Sequence, residues 1–147
     1  MDSIDVIFDK SNFLPVYGND ILAAEKEILI VSPFVTKRRT LQMMQQLDIA
    51  LRNKVRVIVV TRPTGDFGEK QPTALQGTLD MLQHAGVNVV FRSHIHQKFA
   101  LIDQKAVWYG SINLLSFGSA EESIMRLESP NIASELLKSM EKQGKRS

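Results

Sequence analysis

The chain has 147 residues, 44% of them apolar, which is enough for one domain with its own core and no need of a disulfide or metal staple. It has no cysteine, which excludes a disulfide framework, a thiolate metal site and a cysteine nucleophile together. The net charge of +2 and the pI near 9.0 suit a polyanionic partner without demanding one.

No stretch reaches the roughly 18 apolar residues of a membrane span. The start, Met1-Asp2-Ser3-Ile4-Asp5, is acidic and unlike a signal peptide. The expectation is a cytoplasmic chain without stable membrane association, either free or cut from a longer protein, with residues 1–147 forming a single domain.

Ile4 to Phe8 is a short apolar run and predicts a first strand. A short helix is expected over Asp20 to Lys26, capped by Asn19 or Asp20. Glu27 to Ser32 is apolar on both faces, as a buried strand is. Thr36 to Asn53 predicts a long helix with Leu41, Met44, Leu47 and Leu51 as its apolar stripe. Val55 to Thr61 is rich in β-branched residues and reads as a strand. Arg62 to Gln71, with Pro63, Gly65 and Gly68, reads as a loop. Pro72 to Ala85 predicts a helix burying Leu75, Leu79 and Leu82 and stopped by Gly86. Asn88 to Arg92 is a further strand.

His96 to Ile102 and Ala106 to Gly110 read as a hairpin on the polar turn Asp103-Gln104-Lys105. Leu114 to Ala120 is a small-residue loop, and Ser123 to Leu127 the last strand. Ser129-Pro130 opens a final helix over Asn131 to Gln143, and the tail Gly144 to Ser147 is expected to be disordered. The alternation followed by a hairpin predicts an α/β domain, a mixed β-sheet flanked by helices on both faces.

The chemistry concentrates in His96-Gln97-Lys98-Phe99-Ala100-Leu101-Ile102-Asp103 and, six residues on, Gly110-Ser111-Ile112-Asn113. Alternate side chains of a strand share a face. His96 and Lys98 therefore point one way and Phe99 and Leu101 the other, with Ser111 and Asn113 together on the partner strand. An imidazole, an ammonium, a hydroxyl and an amide in one patch suit a phosphodiester. Lys98 offers charge to the non-bridging oxygens. Asn113 and Ser111 offer hydrogen bonds that strengthen as charge builds up in a pentavalent transition state. An imidazole ordinarily titrates near ~6.5, so it offers a neutral nucleophilic nitrogen at pH 7. No carboxylate cluster at metal-ligand spacing lies nearby, so neither a metal nor a cofactor is expected.

A covalent route also needs an acid for the leaving oxygen. His94, two residues away on the same predicted strand, would point parallel to His96 and could not reach the far side of phosphorus. A second His96 from a two-fold related copy could, so the chemistry suggests a homodimer with the site on its axis.

The pattern His96-x-Lys98-x4-Asp103-x6-Gly110-Ser111-x-Asn113 resembles the signature of the phospholipase D superfamily, with each fixed position present. The strand Glu27 to Phe34 resembles the family's early strand and loop. Glu121-Glu122 precede the last strand, where the family places an acidic residue. Larger members carry two motifs; this chain carries one, like small bacterial nucleases of the superfamily that pair two chains. The run Trp108 to Gly118 is also similar to phospholipase D-like domains of helicase- or ATPase-type proteins. The resemblance implies a phospholipase D-like fold. It implies that His96 of one protomer forms a phosphohistidine while a second His96 acts as acid and then base. Lys98 and Asn113 would grip the phosphate and Ser111 support them. Glu122 would fix an imidazole tautomer, with Glu121 the fallback, and Asp103 would hold the hairpin turn.

Blander readings stand beside these. Ser119 to Glu122 also fits a helix capping box. Lys37, Arg38 and Arg39, with Arg62, read either as a phosphate-backbone rail or as a solvated helix start. His94 is a surface residue or a rim group of the cleft. Trp108 is core or a stacking surface. The leading expectation is a metal-independent nuclease acting on DNA or RNA, with DNA the more expected of the two. The alternatives are a phosphatidyl-transfer lipid enzyme and a weakly active nucleic-acid-binding and dimerisation module of a larger helicase or ATPase protein.

Overall fold

The computed structural model describes residues 6–66, 75–115 and 122–146, with side chains to Glu141. The sheet grows from β2 (Glu27–Val31), buried at each of its positions. A strand without polar alternation is stable only where both faces are covered. β3 (Arg56–Thr61) lies parallel to it, and β4 (Asn88–Phe91) parallel to β3. On its other side run β5 (Phe99–Ile102), β6 (Ala106–Gly110), β7 (Ser123–Glu128) and β1 (Ile7–Asp9), each antiparallel to the strand before. The seven strands thus lie in the order β1-β7-β6-β5-β2-β3-β4.

Three helices cover one face: α1 (Phe13–Ala23), α2 (Lys37–Arg52) and α3 (Leu75–Ala85). They bury Phe13, Ile21, Leu47 and Leu79 against Ile28, Ile30, Val59 and Ala100. α4 (Pro130–Arg146) covers the other face, setting Ala133 and Met140 against Leu29, Val31, Phe99, Leu101 and Val107. The expected mixed sheet with helices on both faces is therefore found. Trp108 is fully buried and donates to Asp20 (2.7 Å), whose carboxylate also takes Arg126 in a two-pronged pair, so the indole belongs to the core.

Several boundaries differ from expectation for identifiable reasons. α1 begins at Phe13 and places Asp20 mid-helix instead of at a cap. Pro15 sits in the first turn, where its missing N–H removes no helical bond, so it starts the helix rather than breaking it. In α2 the buried stripe includes Thr40, Met43, Leu47 and Ala50, while Leu41 is 52% exposed. Thr36 caps that helix by accepting from the Arg39 N–H, and α3 ends at Gly86, whose φ of +108° serves a left-handed stop. Ser129 Oγ caps α4 as expected, accepting from the Ile132 N–H (3.1 Å). That helix continues through Gly144 to Arg146, which had been expected to be disordered; one glycine costs only about 1 kcal/mol and does not end it. Expectations for Ile4, Asp5, 67–74, 116–121 and Ser147 fall outside the described residues. Among the described residues, no helix is long and apolar enough to cross a membrane.

The strand directions bring the functional segments together. β1, β2, β3, β4 and β6 end, and β5 and β7 begin, at the same end of the sheet. The chain following β1, β2, β3, β4 and β6, and that preceding β5 and β7, is thereby gathered at that one end.

Candidate active site

His96 and Lys98 do not lie on a laddered strand. β5 begins only at Phe99, and 95–98 precede it outside the named strands, with the Lys98 carbonyl accepting from the Gly110 N–H (3.4 Å). The alternation survives nonetheless. Ile95 plugs into the core on the α4 side, and Gln97 Nε2 donates to Ser139 Oγ of α4 (3.0 Å). These two inward residues turn His96 outward to solvent and leave Lys98 half-buried. The Lys98 ammonium donates to the His96 carbonyl (3.3 Å), so charge and imidazole-bearing residue stay together.

His94 is not a strand residue at all. It sits in a turn with φ of +60°, and its N–H donates to Asp66 Oδ2 (2.6 Å). The ring is 78% exposed and lies 3.9 Å from the same oxygen. The expectation that it points parallel to His96 along one strand therefore falls; the ring stands in solvent beside Asp66. Asp66, which the sequence reading did not single out, also accepts from Arg62 Nε (3.2 Å). The His94 N–H first, and then Arg62 and Ser93, hold its carboxyl below the usual range against the effect of burial. Only the four-residue spacing from Arg62 could have signalled this role.

Ser111 and Asn113 follow the end of β6 rather than lying on it. The Ser111 hydroxyl bridges the start of β7, donating to the Ser123 carbonyl (3.2 Å) and accepting from the Ser123 N–H (3.1 Å). Asn113 Oδ1 accepts from the Phe34 N–H (3.4 Å), tying the loop after β2 to the motif. Val35 and Leu115 form a parallel bridge beside it, and the Thr36 N–H donates to the Leu115 carbonyl (2.7 Å). Glu122, next to Ser123, is half-buried; its carboxylate is bonded to neither His94 nor His96.

Gly110 is required by close approach. A Cβ there would overlap the Ser123 carbonyl oxygen and come within 2.7 Å of Ile124 Cα, both backbone atoms that cannot swing away. Gly110→Ala should therefore destabilise the fold by roughly 1–3 kcal/mol and misplace Ser111, which a urea titration alongside an activity assay would register.

Asp103 stands at the opposite end of the sheet from His96. Five residue steps along β5 separate it from Lys98, roughly 17 Å along the chain. With Gln104 it has positive φ (+55° and +53°), the pair of left-handed residues that a type I′ hairpin turn needs. Its carboxylate accepts from the N–H groups of Glu25 (3.0 Å), Lys26 (2.7 Å) and Glu27 (3.0 Å) at the start of β2.

The proposed basic rail divides. Lys37 and Arg38 are exposed at the start of α2, but Arg39 is 3% exposed and stacks over the Phe13 ring (5.2 Å). Its alternation with the helix stripe turns it into the core, so it is withdrawn as a substrate contact. Arg62 lies after β3 at the site end, over the Phe34 ring (5.8 Å). No group of three or more metal-ligating side chains is gathered among the described residues.

A histidine and a lysine on the segment leading into β5, a serine and an asparagine just after β6, all at one sheet end, and an aspartate locking the other, are the arrangement of a phospholipase D-type domain. The chain belongs to that superfamily: the family model described as "Cardiolipin synthase, PLD-like domain" matches residues 17–143. Its fold is similar to that of Nuc from Salmonella typhimurium, a phospholipase D family member, with a TM-score of 0.71 and 17% identity over 95% of this chain and 92% of that one. It is likewise similar to NucT from Helicobacter pylori, with a TM-score of 0.66, 17% identity and the same coverage of 95% and 92%. The archaeal chromatin protein TrmBL2, whose structure shows a novel mode of DNA binding, matches 99% of this chain with 55% of its own, at a TM-score of 0.61 and 10% identity. No curated protein matches the sequence.

Proposed function

We propose that the chain is a metal-independent phosphodiesterase, a nuclease that works through a phosphohistidine at a homodimer interface. The observation that carries this reading is the single exposed His96 held beside Lys98, with Ser111 and Asn113 at the same end of the sheet. His96 attacks phosphorus, forming the N–P bond as the P–O bond to the leaving nucleotide breaks. His96 of the partner subunit donates the proton that the leaving oxygen takes up. The same ring then removes a proton from water, whose oxygen displaces His96 and releases the phosphate product. Lys98 and Asn113 hold the non-bridging oxygens, and Ser111 fixes the turn that presents them. Glu122 orients an imidazole of the assembled dimer, a bond that the isolated chain does not make. Lys37, Arg38, Arg62 and His94 border the path of the polyanion. DNA fits this reading better than RNA, given the DNA-binding archaeal neighbour.

A face for the second copy adjoins the site. Ile7, Met125 and Tyr109 stand in register across β1, β7 and β6, and are 66%, 42% and 43% exposed. Tyr109 pairs with Phe99 and so lies on the face that α4 covers elsewhere, beside Gly110 and Lys98. Sedimentation should show a dimer, and Tyr109→Asp should weaken it and lower activity in step with dissociation. An active wild-type monomer would overturn the shared site.

The family model's cardiolipin synthase description favours a second reading, phosphatidyl transfer on lipid. Co-sedimentation with anionic liposomes, together with release of headgroup, would support it over nucleic-acid cleavage.

A further inference from the structure

The side chain of Asp66 is 8% exposed, and it joins loops that follow different strands at the site end of the sheet. Its Oδ2 accepts from the His94 N–H (2.6 Å) in the turn after β4 and from Arg62 Nε (3.2 Å) in the loop after β3. The Arg62 guanidinium lies over the ring of Phe34 (5.8 Å) in the loop after β2. The Phe34 N–H in turn donates to Asn113 Oδ1 (3.4 Å). The loops after β2 and β3 also meet directly, where the Thr61 hydroxyl donates to the Pro33 carbonyl (3.3 Å). One chain of contacts therefore runs from the turn just before His96 to the amide of Asn113.

That turn needs holding. His94 has a φ of +60°, a backbone conformation that residues with a side chain adopt only where their surroundings fix it. The fixing bond is the one from its N–H to the Asp66 carboxylate, and a charged acceptor makes a stronger bond than a neutral one. On the far side of His96, Ile95 sits in the core and Gln97 is tied to Ser139 of α4. Asp66 thus fixes the backbone before this segment, and α4 fixes the segment itself. The His94 N–H first, and then Arg62 and Ser93, keep the Asp66 carboxyl below its usual range against burial, so it stays an anionic acceptor at neutral pH.

We infer that Asp66 is a positioning residue of the site. Through the His94 N–H it sets the turn that presents His96, and through Arg62 and Phe34 it sets the loop bonded to Asn113. It acts through these neighbours and touches no reacting atom. The inference rests on the histidine mechanism proposed above and adds to it a residue that lies outside the motif.

The test measures kcat and KM for bis(p-nitrophenyl) phosphate with wild type, Asp66→Ala and Asp66→Asn, each corrected for its folded fraction by urea titration. Misplacing a reacting group by about 1 Å costs on the order of 100-fold in rate. Asp66→Ala should lower kcat by about that factor with KM little changed, and should slow phosphohistidine formation in a single turnover equally. Asp66→Asn keeps an oxygen for the His94 N–H but no charge for Arg62, so its kcat should lie about tenfold below wild type. A carboxylate with a merely structural role would lower the urea midpoint and leave kcat per folded molecule unchanged, which would overturn the inference. A raised KM at unchanged kcat would assign Asp66 to substrate binding and overturn it as well. If Asp66→Ala does not fold, Asp66→Asn decides, and a wild-type kcat in that variant overturns the inference. Wild-type turnover that does not depend on His96 would instead remove the histidine mechanism, and the inference with it.

Discussion

Replacing His96 by alanine is expected to lower phosphodiester cleavage by at least about 10⁴-fold, because in the proposed mechanism it removes the attacking atom itself and not merely a contact. The fold is expected to survive. His96 is solvent-exposed, and the neighbours that position it, Ile95 and Gln97, keep their own anchors in α4. Circular dichroism and a urea midpoint matching the wild type would establish this. The loss should also be dominant in mixtures. If each cleavage uses two copies of His96, co-refolding wild-type and His96→Ala chains gives an activity falling as the square of the wild-type fraction. A linear fall would mean that one histidine suffices and that the site is complete within a chain. Lys98→Ala should cost less than His96→Ala, since in the proposed mechanism it weakens charge stabilisation but leaves the nucleophile in place.

Asp103→Ala should lower stability by about 3 kcal/mol, because three N–H groups at the start of β2 lose a charged acceptor and a left-handed residue loses a side chain suited to it. Asp103→Asn should recover part of this. Asparagine tolerates the same backbone but offers a neutral oxygen. The effect has a definite pH sense. Burial alone would raise the Asp103 carboxyl, but the N–H groups of Glu27, Glu25 and Lys26 outweigh it and hold it below the ordinary carboxylate range. A depressed folded value means that the stabilisation is fully present above the ordinary carboxylate range and is lost as pH falls through the folded value. Urea midpoints for wild type and Asp103→Asn should therefore differ at pH 7 and converge in strong acid. Turnover per folded molecule should change little, since Asp103 stands at the far end of the sheet. A large loss of turnover at unchanged stability would make Asp103 a participant in the chemistry.

What was legible in the sequence was local. His96, Lys98, Gly110, Ser111 and Asn113 could be found because short spacings and a turn place them together whatever the rest of the chain does. The α/β pattern followed for the same reason, from β-branched runs and leucine stripes. What was missed depends on distance. Asp66 meets His94 across 28 residues, a contact that no local spacing between the two betrays. Arg39 was read as surface because arginine ordinarily is; the helix stripe and the Phe13 ring put it inside. The start of α1 was hidden by Pro15, which lies in a first turn that only the folded chain reveals. His96 and Lys98 were placed on a strand that begins only at Phe99, three residues after the expected start. The alternation was right because side-chain anchors in α4, rather than a sheet ladder, impose it.

The most direct test incubates labelled single- and double-stranded DNA and RNA with the wild-type protein in excess EDTA. Cleavage undiminished by the chelator, with label trapped on His96 after acid-free denaturation, is the predicted result. Cleavage that stops in EDTA and returns on adding a divalent cation would contradict the histidine mechanism.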